Sequence, residues 1–436
     1  MLSKGDDLAE RVRPDFPILN RTVRGGQPLV YLDSAATTQR PRQVVRVMEN
    51  HINGFNAAAH RGAHQMAEES TEAFENARAQ VARFGNCDID EVVWTSGATA
   101  AINLVAYGIE NASRRPSVEE PGRRLETTAP KRNRFAIGPG DEIVISEAEH
   151  HSNLVPWQQL AAKTGATLRW FGVDDEGRID LSNLEELINP RTKLVSITHI
   201  SNVTGAITPI KPIIERAQAV GATTVLDACQ SAAHLPLDFH EIGADFIAFS
   251  GHKVFGPTGV GVLYGKAEAL ADLPPVNTGG SMVGTVTMES STFLPPPMRF
   301  EAGTQMVTEA IGLGAALEWL DSLGWENIEA HEKLMTEELL KIEEIPGINI
   351  VGPKDAKDRI ALVSFTVAGV HPHDAGQVLD DAGVAVRVGQ HCAQPIHRRL
   401  GAPQGTVRAS ASIYNTVEEI QKFRAALETV RPFFGL

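Results

Sequence analysis

Cysteine is scarce in this chain: three residues in 436, Cys87, Cys229 and Cys392, with no C-x-x-C pair among them. So few thiols exclude a disulfide framework. No apolar run approaches the roughly 20 residues a membrane-spanning helix needs, and the opening stretch MLSKGDDLAERVRPDF is polar rather than signal-like. Positive charge is outnumbered, 40 Lys and Arg against 54 Asp and Glu, for a net charge of -14. A nucleic-acid footprint would be basic, so neither nucleic acid nor membrane is expected as a partner. What remains is an ordinary globular composition, 42% hydrophobic and 22% charged, and a cytoplasmic location is inferred. At this length two domains are the default.

Short apolar runs alternate with stretches of helical periodicity, the pattern of an α/β fold with a mostly parallel sheet between helices. Strands are expected at 91–95, 142–146, 167–171, 194–199, 223–227 and 246–249, with 260–264 running antiparallel as it leaves the site. Helices are expected at 41–52, 68–84, 96–109, 154–163, 181–187 and 211–220. Two more, 307–323 and 325–342, bridge to a smaller α+β C-terminal domain with strands 348–351, 360–367 and 384–388. The division expected is an N-terminal arm, 1–35, joining the small domain; a large domain, 36–305; and a small domain, 306–436. Residues 111–134, with three prolines and almost no apolar content, cannot bury enough surface to order themselves and read as a mobile surface insertion. Residues 277–297, rich in Gly, Thr, Ser and Pro, read as a long loop.

The chemistry concentrates between Asp227 and Lys253. The run ending at Asp227 and the run leading into Ser250-Gly251-His252-Lys253 are apolar on both faces, as buried parallel strands are. Asp227 and Lys253 therefore fall at carboxyl ends of strands, where open α/β sheets hold ligands. A lysine to carry the group as a Schiff base and an acid to keep a pyridine nitrogen protonated are what pyridoxal 5'-phosphate requires. A solvated lysine and a helix-capping aspartate are the bland alternative; Gln230, Ser250 and His252 clustered around them argue against it. Upstream, Ser96-Gly97-Ala98-Thr99 opens a helix whose free backbone N–H groups and dipole suit a phosphate, with the Thr99 hydroxyl added. The doublet His150-His151 follows a strand; adjacent histidines rarely converge on one ion, so no metal site is expected.

LDACQS followed by SGHK resembles the cofactor core of the class V aminotransferase group, of pyridoxal phosphate fold type I. RVGQHCAQP narrows the resemblance to the cysteine desulfurases, in particular their SufS-like (type II) branch. The likeness runs from about Tyr31 to Tyr414 and implies a seven-stranded, mostly parallel sheet. It also implies roles. Lys253 carries the cofactor and Asp227 faces the ring nitrogen. His150 stacks on the ring. Gln230, Ser250, His252, Ala98 and Thr99 complete the cofactor contacts, with Asn202 near the substrate carboxylate. Arg408 grips that carboxylate, Ala35 lines the entrance, and His60 and Arg61 line the pocket near a dimer interface. Thr304 reaches the phosphate of the other subunit, so a homodimer with shared active sites is implied. Relatives often carry Thr-Thr-Glu where this chain has Ala98-Thr99-Ala100.

Cys392 is the implied nucleophile, taking sulfur from L-cysteine as a persulfide and leaving L-alanine, for iron-sulfur cluster assembly. Taken by itself, a cysteine is most often a buried inert residue; here Arg387 and His391 flank it, in a loop marked by Gly389 and Pro395, and positive neighbours favour the reactive thiolate. Gln390 stands where many relatives have histidine, which shifts the activating charge to His391 and Arg387. Cys229 reads as a packing residue, and Cys87 has no evident partner. The family hands its persulfide to a SufU- or SufE-like acceptor, and His373 resembles a histidine some members offer to a SufU-like acceptor's zinc, though it equally suits a helix entry.

Overall fold

The fold was obtained as a computed structural model, which describes residues 6–114 and 133–436; most of the expected insertion at 111–134 lies outside these. Residues 111–114 belong to the helix Ala98–Arg114, which runs five residues past its expected end at 109. The first strand, β1 (Val30–Tyr31), is short. It is followed by β2 (Val92–Thr95), β3 (Glu142–Ser146), β4 (Thr167–Phe171), β5 (Thr192–Thr198), β6 (Thr223–Asp227), β7 (Phe246–Ser250) and β8 (Gly261–Gly265). These last seven form one sheet in the order β2-β8-β7-β6-β5-β3-β4. The pairs from β7 to β4 are parallel, while β8 runs antiparallel to both β7 and β2.

The sheet is covered on both faces. Every residue of β2, β3, β6, β7 and β8 is buried, which is why these runs lack the polar alternation of a half-exposed strand. On one side Phe249, Val262 and Ile247 pack with Phe74, Val81, Leu313 and Leu317 from the helices Gln65–Gly85 and Val307–Asp321. On the other, Ala248, Leu263 and Val93 pack with Ile102, Val105 and Trp157. Each large apolar side chain so buried contributes about 1.5–3 kcal/mol against leaving it in water.

The region expected to be a loop at 277–297 contains a hairpin, β9 (Val283–Val286) and β10 (Ser291–Phe293). Its Gly, Ser and Thr content hides a strand pattern because most of both strands is exposed. The second sheet holds β11 (Ile348–Ile350), β12 (Leu362–Val367), β14 (Arg387–Gly389) and β15 (Thr406–Ser410), in the order β11-β12-β15-β14, all antiparallel. The single strand expected at 384–388 is split: β13 (Val384–Ala385) leaves this sheet to pair with β1, and only β14 joins it. The arm serves two bodies. Its strand pairs with β13, yet Leu8, Val12, Phe16 and Leu19 are buried with Phe255, Trp319 and Tyr414.

Candidate active site

Parallel strands present their carboxyl ends to one edge of the sheet, and the second sheet closes over that edge. Between them lies a cleft of about 790 Å³ lined by residues from both. From the large sheet come Ala98, Thr99, His150, Asn202, Asp227, Gln230, Ser250, His252 and Lys253; from the opposite wall come Arg387, His391, Cys392 and Arg408, with Ala35 at the side. Lysine, acid and thiol therefore share one space.

Asp227 ends β6 and is 5% exposed, with one carboxylate oxygen accepting the Cys229 N–H at 2.9 Å. Lys253 closes the turn after β7, half-buried. That turn is held by its carbonyl neighbour: His252 O accepts the Thr38 N–H at 3.0 Å and the Thr37 hydroxyl at 3.0 Å. Ser250 Oγ accepts the Ala98 N–H at 2.9 Å, joining the end of β7 to the start of the helix. The approach there is close enough to demand glycine. A Cβ on Gly261 would sit 2.5 Å from Gly97 Cα. Thr99 meets Ser152 Oγ at 2.7 Å rather than standing free.

His150 and His252 are both held neutral. Burial pushes the His150 imidazole down, with the Lys253 charge adding to it, and burial followed by Lys253 brings His252 down to about 4. A neutral ring is the form that can lie against an aromatic cofactor without carrying charge into the site. Beneath them Glu149, fully buried, accepts from Ser146 Oγ at 2.5 Å, Asn153 Nδ2 at 2.6 Å and Thr198 N–H at 3.0 Å, and burial pushes its carboxyl up to about 8. It ties β3 to β5 under the cleft. Sequence reasoning passed over it because nothing in the motif distinguishes it from its neighbour Glu147.

The opposite wall is built around Arg408, 2% exposed on β15. Its Nη1 donates to Asn202 O at 2.8 Å and its Nη2 to Asp33 at 3.4 Å, while its Nε finds no partner among the described residues. Burial pulls its guanidinium down to about 10, against the pull of Asp33, which leaves it cationic at neutral pH. A guanidinium on a cleft wall is what a carboxylate ligand pairs with. Asn202 Nδ2 donates to His391 O at 2.6 Å, coupling the large sheet to the thiol loop.

That loop is strained. His391 and Cys392 both have positive φ, 47° and 56°, and each such non-glycine residue costs about 1–3 kcal/mol. Backbone and side-chain ties hold it: His151 N–H donates to Cys392 O at 2.7 Å, Gln394 N–H to His151 Nε2 at 3.3 Å, and Gln390 Nε2 to Pro403 O at 2.7 Å. His151, expected only as a neighbour of His150, is thus the loop's tether, and Gln390 braces it. Cys392 itself is exposed.

One expectation needs correction. His391 does not share the activating charge: burial, then the positive charge of Arg408, pushes its ring down to about 2, and its Nε2 meets Thr406 Oγ1 at 2.8 Å. Arg387 and Arg408 are the cations of that wall. Cys229 packs against the apolar cluster on one face of the sheet, as expected, and also lines the cleft beside Asp227; burial and the Asp227 charge raise its thiol. His60 and Arg61, expected near a dimer interface, lie outside the cleft of the single chain. Both are exposed, and His60 Nε2 lies 3.3 Å from Glu75 with its ring edge-on to Phe74. Thr304 is likewise exposed, on a separate cleft with Trp94, Tyr107 and Phe300. Burial and nearby acids push the Cys87 thiol up to about 12.

The residues present fit pyridoxal phosphate. An amine, a buried carboxylate, a neutral imidazole and a helix N-terminus with hydroxyl neighbours face one cleft, with the Arg408 cation on its opposite wall. Among the described residues no group of three or more His, Cys, Asp or Glu is placed to hold a metal, and no helix is long and apolar enough to cross a membrane.

Comparison with known proteins agrees with this geometry. The aminotransferase class-V family model matches residues 30–119 and 122–423. A probable cysteine desulfurase of Mycobacterium leprae is 50% identical over 97% of both chains, and one of Streptomyces coelicolor is 50% identical over 98% of both. Among solved structures, an apo cysteine desulfurase from Thermococcus onnurineus superposes with a TM-score of 0.87 at 36% identity, covering 98% of each chain. The Escherichia coli cysteine desulfurase CsdA, determined as its S-sulfonic acid, gives 0.83 at 35% identity with the same coverage.

Proposed function

Because this chain belongs to the aminotransferase class-V family and is a pyridoxal phosphate-dependent cysteine desulfurase, we propose that it forms L-alanine from L-cysteine with the sulfur received as a persulfide on Cys392. The observation that carries this reading is that Lys253, Asp227, Arg408 and Cys392 line one cleft, although they come from two sheets. When bound, pyridoxal phosphate supplies an electron sink for the substrate's α-carbon. The chain does the rest. Arg408 takes the substrate carboxylate and orients the side-chain sulfur toward the Cys392 loop. Lys253 would carry the cofactor, and its amine would move the substrate's α-proton. Asp227, buried, would face the ring nitrogen and keep a proton on it, and His150 would lie against the ring without adding charge.

The thiolate of Cys392 attacks the substrate sulfur. A sulfur–sulfur bond forms as the substrate Cβ–S bond breaks; the bonding pair stays with the carbon, and protonation there completes alanine. Arg387 and Arg408 line the same cleft as the Cys392 thiol. The test is direct: the purified protein shows a visible absorption band, borohydride fixes the cofactor to Lys253, and cysteine yields alanine in step with sulfide when a thiol reductant is added to discharge the persulfide. Alanine formation without a trapped Lys253 peptide would overturn the assignment.

Sulfur bound for iron-sulfur cluster assembly must leave the persulfide on a second protein, and a SufU- or SufE-like acceptor in the cytoplasm fits the family. His373 supports a docking site on the helix Pro372–Asp381. It is 72% exposed at the first turn of the helix Pro372–Asp381, whose cap is made instead by His371 accepting the His373 N–H at 3.3 Å. His373→Ala should lower acceptor-stimulated alanine formation severalfold while unstimulated turnover holds; unchanged stimulation removes the idea. Thr304, His60 and Arg61 all lie outside the cleft and exposed. That placement suits a homodimer in which they complete the partner's site.

A further inference from the structure

Behind Cys392 lies a set of buried side chains that the reaction itself does not use. Thr406 and His397 are fully buried beneath the thiol loop, and His391 is nearly so. Thr406 Oγ1 stands between the two imidazoles, 2.8 Å from His391 Nε2 and 3.2 Å from His397 Nε2. The other ring nitrogen of His397, Nδ1, lies 2.9 Å from Ala393 O. Glycine allows the meeting: Thr406 on β15 pairs with Gly389 on β14, and a Cβ on Gly405 would sit 2.5 Å from the Gly389 carbonyl carbon.

The hydrogens of this chain have one arrangement. Burial, reinforced by the charge of Arg408, lowers both imidazoles, so each ring is neutral and offers one N–H and one lone pair. A carbonyl only accepts. His397 therefore carries its hydrogen on Nδ1, and its Nε2 accepts the single hydroxyl hydrogen of Thr406. The Thr406 oxygen in turn receives the N–H of His391 Nε2. The bonds run from His391 through Thr406 and His397 to Ala393 O, each with one donor and one acceptor, so they begin on the residue before Cys392 and end on the residue after it. Between those ends the backbone is under strain, with φ of 47° at His391 and 56° at Cys392. A non-glycine residue keeps that conformation only where its surroundings over-determine it.

We propose that His397 is a positioning residue for the nucleophile: acting through Thr406 and His391 on one side and Ala393 O on the other, it keeps residues 391–393 in the backbone conformation that turns the Cys392 thiol to the cleft. The proposal rests on the reading of Cys392 as the group that receives the sulfur. The ordering of the loop rests on the hydrogen bonds alone.

The test joins hydrogen–deuterium exchange to first-turnover kinetics on the cofactor-loaded protein. In His397→Phe, which fills the space without the bonds, and in Thr406→Val, the peptide spanning 389–394 exchanges on the order of tenfold faster, as the loss of one or two hydrogen bonds dictates. Peptides covering β6 and β7 keep their protection. The first equivalent of alanine from L-cysteine appears about tenfold more slowly at saturating substrate, with half-saturation unchanged. Thr406→Ser keeps the hydroxyl and restores both measurements. Because the bonds form one chain, the double variant His397→Phe with Thr406→Val is no worse than either single change, whereas a merely structural packing role would make the two losses add. Unmoved exchange in Thr406→Val, additive losses, or a loosened loop with an unslowed first turnover overturns the proposal. Should His397→Phe fail to fold, Thr406→Val against Thr406→Ser decides it by the same two readings. An unaltered protein that makes no alanine from cysteine would strike the desulfurase reading, while the exchange pattern still decides whether His397 orders the loop.

Discussion

In Cys392→Ala, alanine formation from L-cysteine falls by at least on the order of 10³-fold while the visible absorption of the bound cofactor is retained, because the substitution removes the group that takes the sulfur and nothing that holds the cofactor. The residues proposed to hold the cofactor sit on the ends of β6 and β7 and on the helix Ala98–Arg114, whereas Cys392 sits in a separate loop between β14 and the helix Gln394–Arg399. No other thiol can stand in. Cys229 lines the same cleft, but burial and Asp227 raise its thiol, and a thiol that does not ionise is a poor nucleophile. Folding is not at stake either, since Cys392 is exposed. The measurement is alanine released per mole of bound cofactor. Undiminished release would remove Cys392 from the reaction and move the sulfur transfer elsewhere.

Arg408→Lys raises KM for L-cysteine roughly 30-fold, about 2 kcal/mol, the worth of a charge-assisted pair lost from a buried site. The charge survives the substitution and the geometry does not. Arg408 donates at once to Asn202 O and Asp33 while lining the cleft; an ammonium is a point charge that cannot keep these directions. Since the carboxylate is gripped equally before and after the sulfur is attacked, KM carries the loss and kcat changes less. Steady-state alanine formation over a range of cysteine concentrations checks this. A KM within about twofold of the unaltered protein would mean that Arg408 does not bind the substrate carboxylate.

How much of this was legible beforehand depends on the range over which each feature is determined. Asp227 and Lys253 announced themselves because each ends a run that is apolar on both faces, and a charged residue at such a position has few structural excuses. The hairpin of β9 and β10 was not legible, because its strands lie largely exposed and carry no alternation. Nor was the split at 384–389. The residues look like one strand, but Ala385 pairs with Tyr31 while Arg387 pairs with Arg408, and a choice of partners is not written in a local pattern. The strand Thr406–Ser410 was missed for the same reason, although it carries Arg408 at the centre of the second sheet.

The amino-acid sequence by itself determined which chemistry was possible: an acid and an amine at the ends of two buried strands, a thiol in a Gly- and Pro-marked loop, and the α/β alternation that brings strand ends to one edge. Tertiary structure decided which groups meet and in what state of charge. Arg408 and Asp33, 375 positions apart, meet only because the arm runs beside β15, and His391 next to the nucleophile is neutral because the fold buries it. Burial and long-range contact are properties of the folded chain, since they depend on what packs against a residue and not on what precedes it.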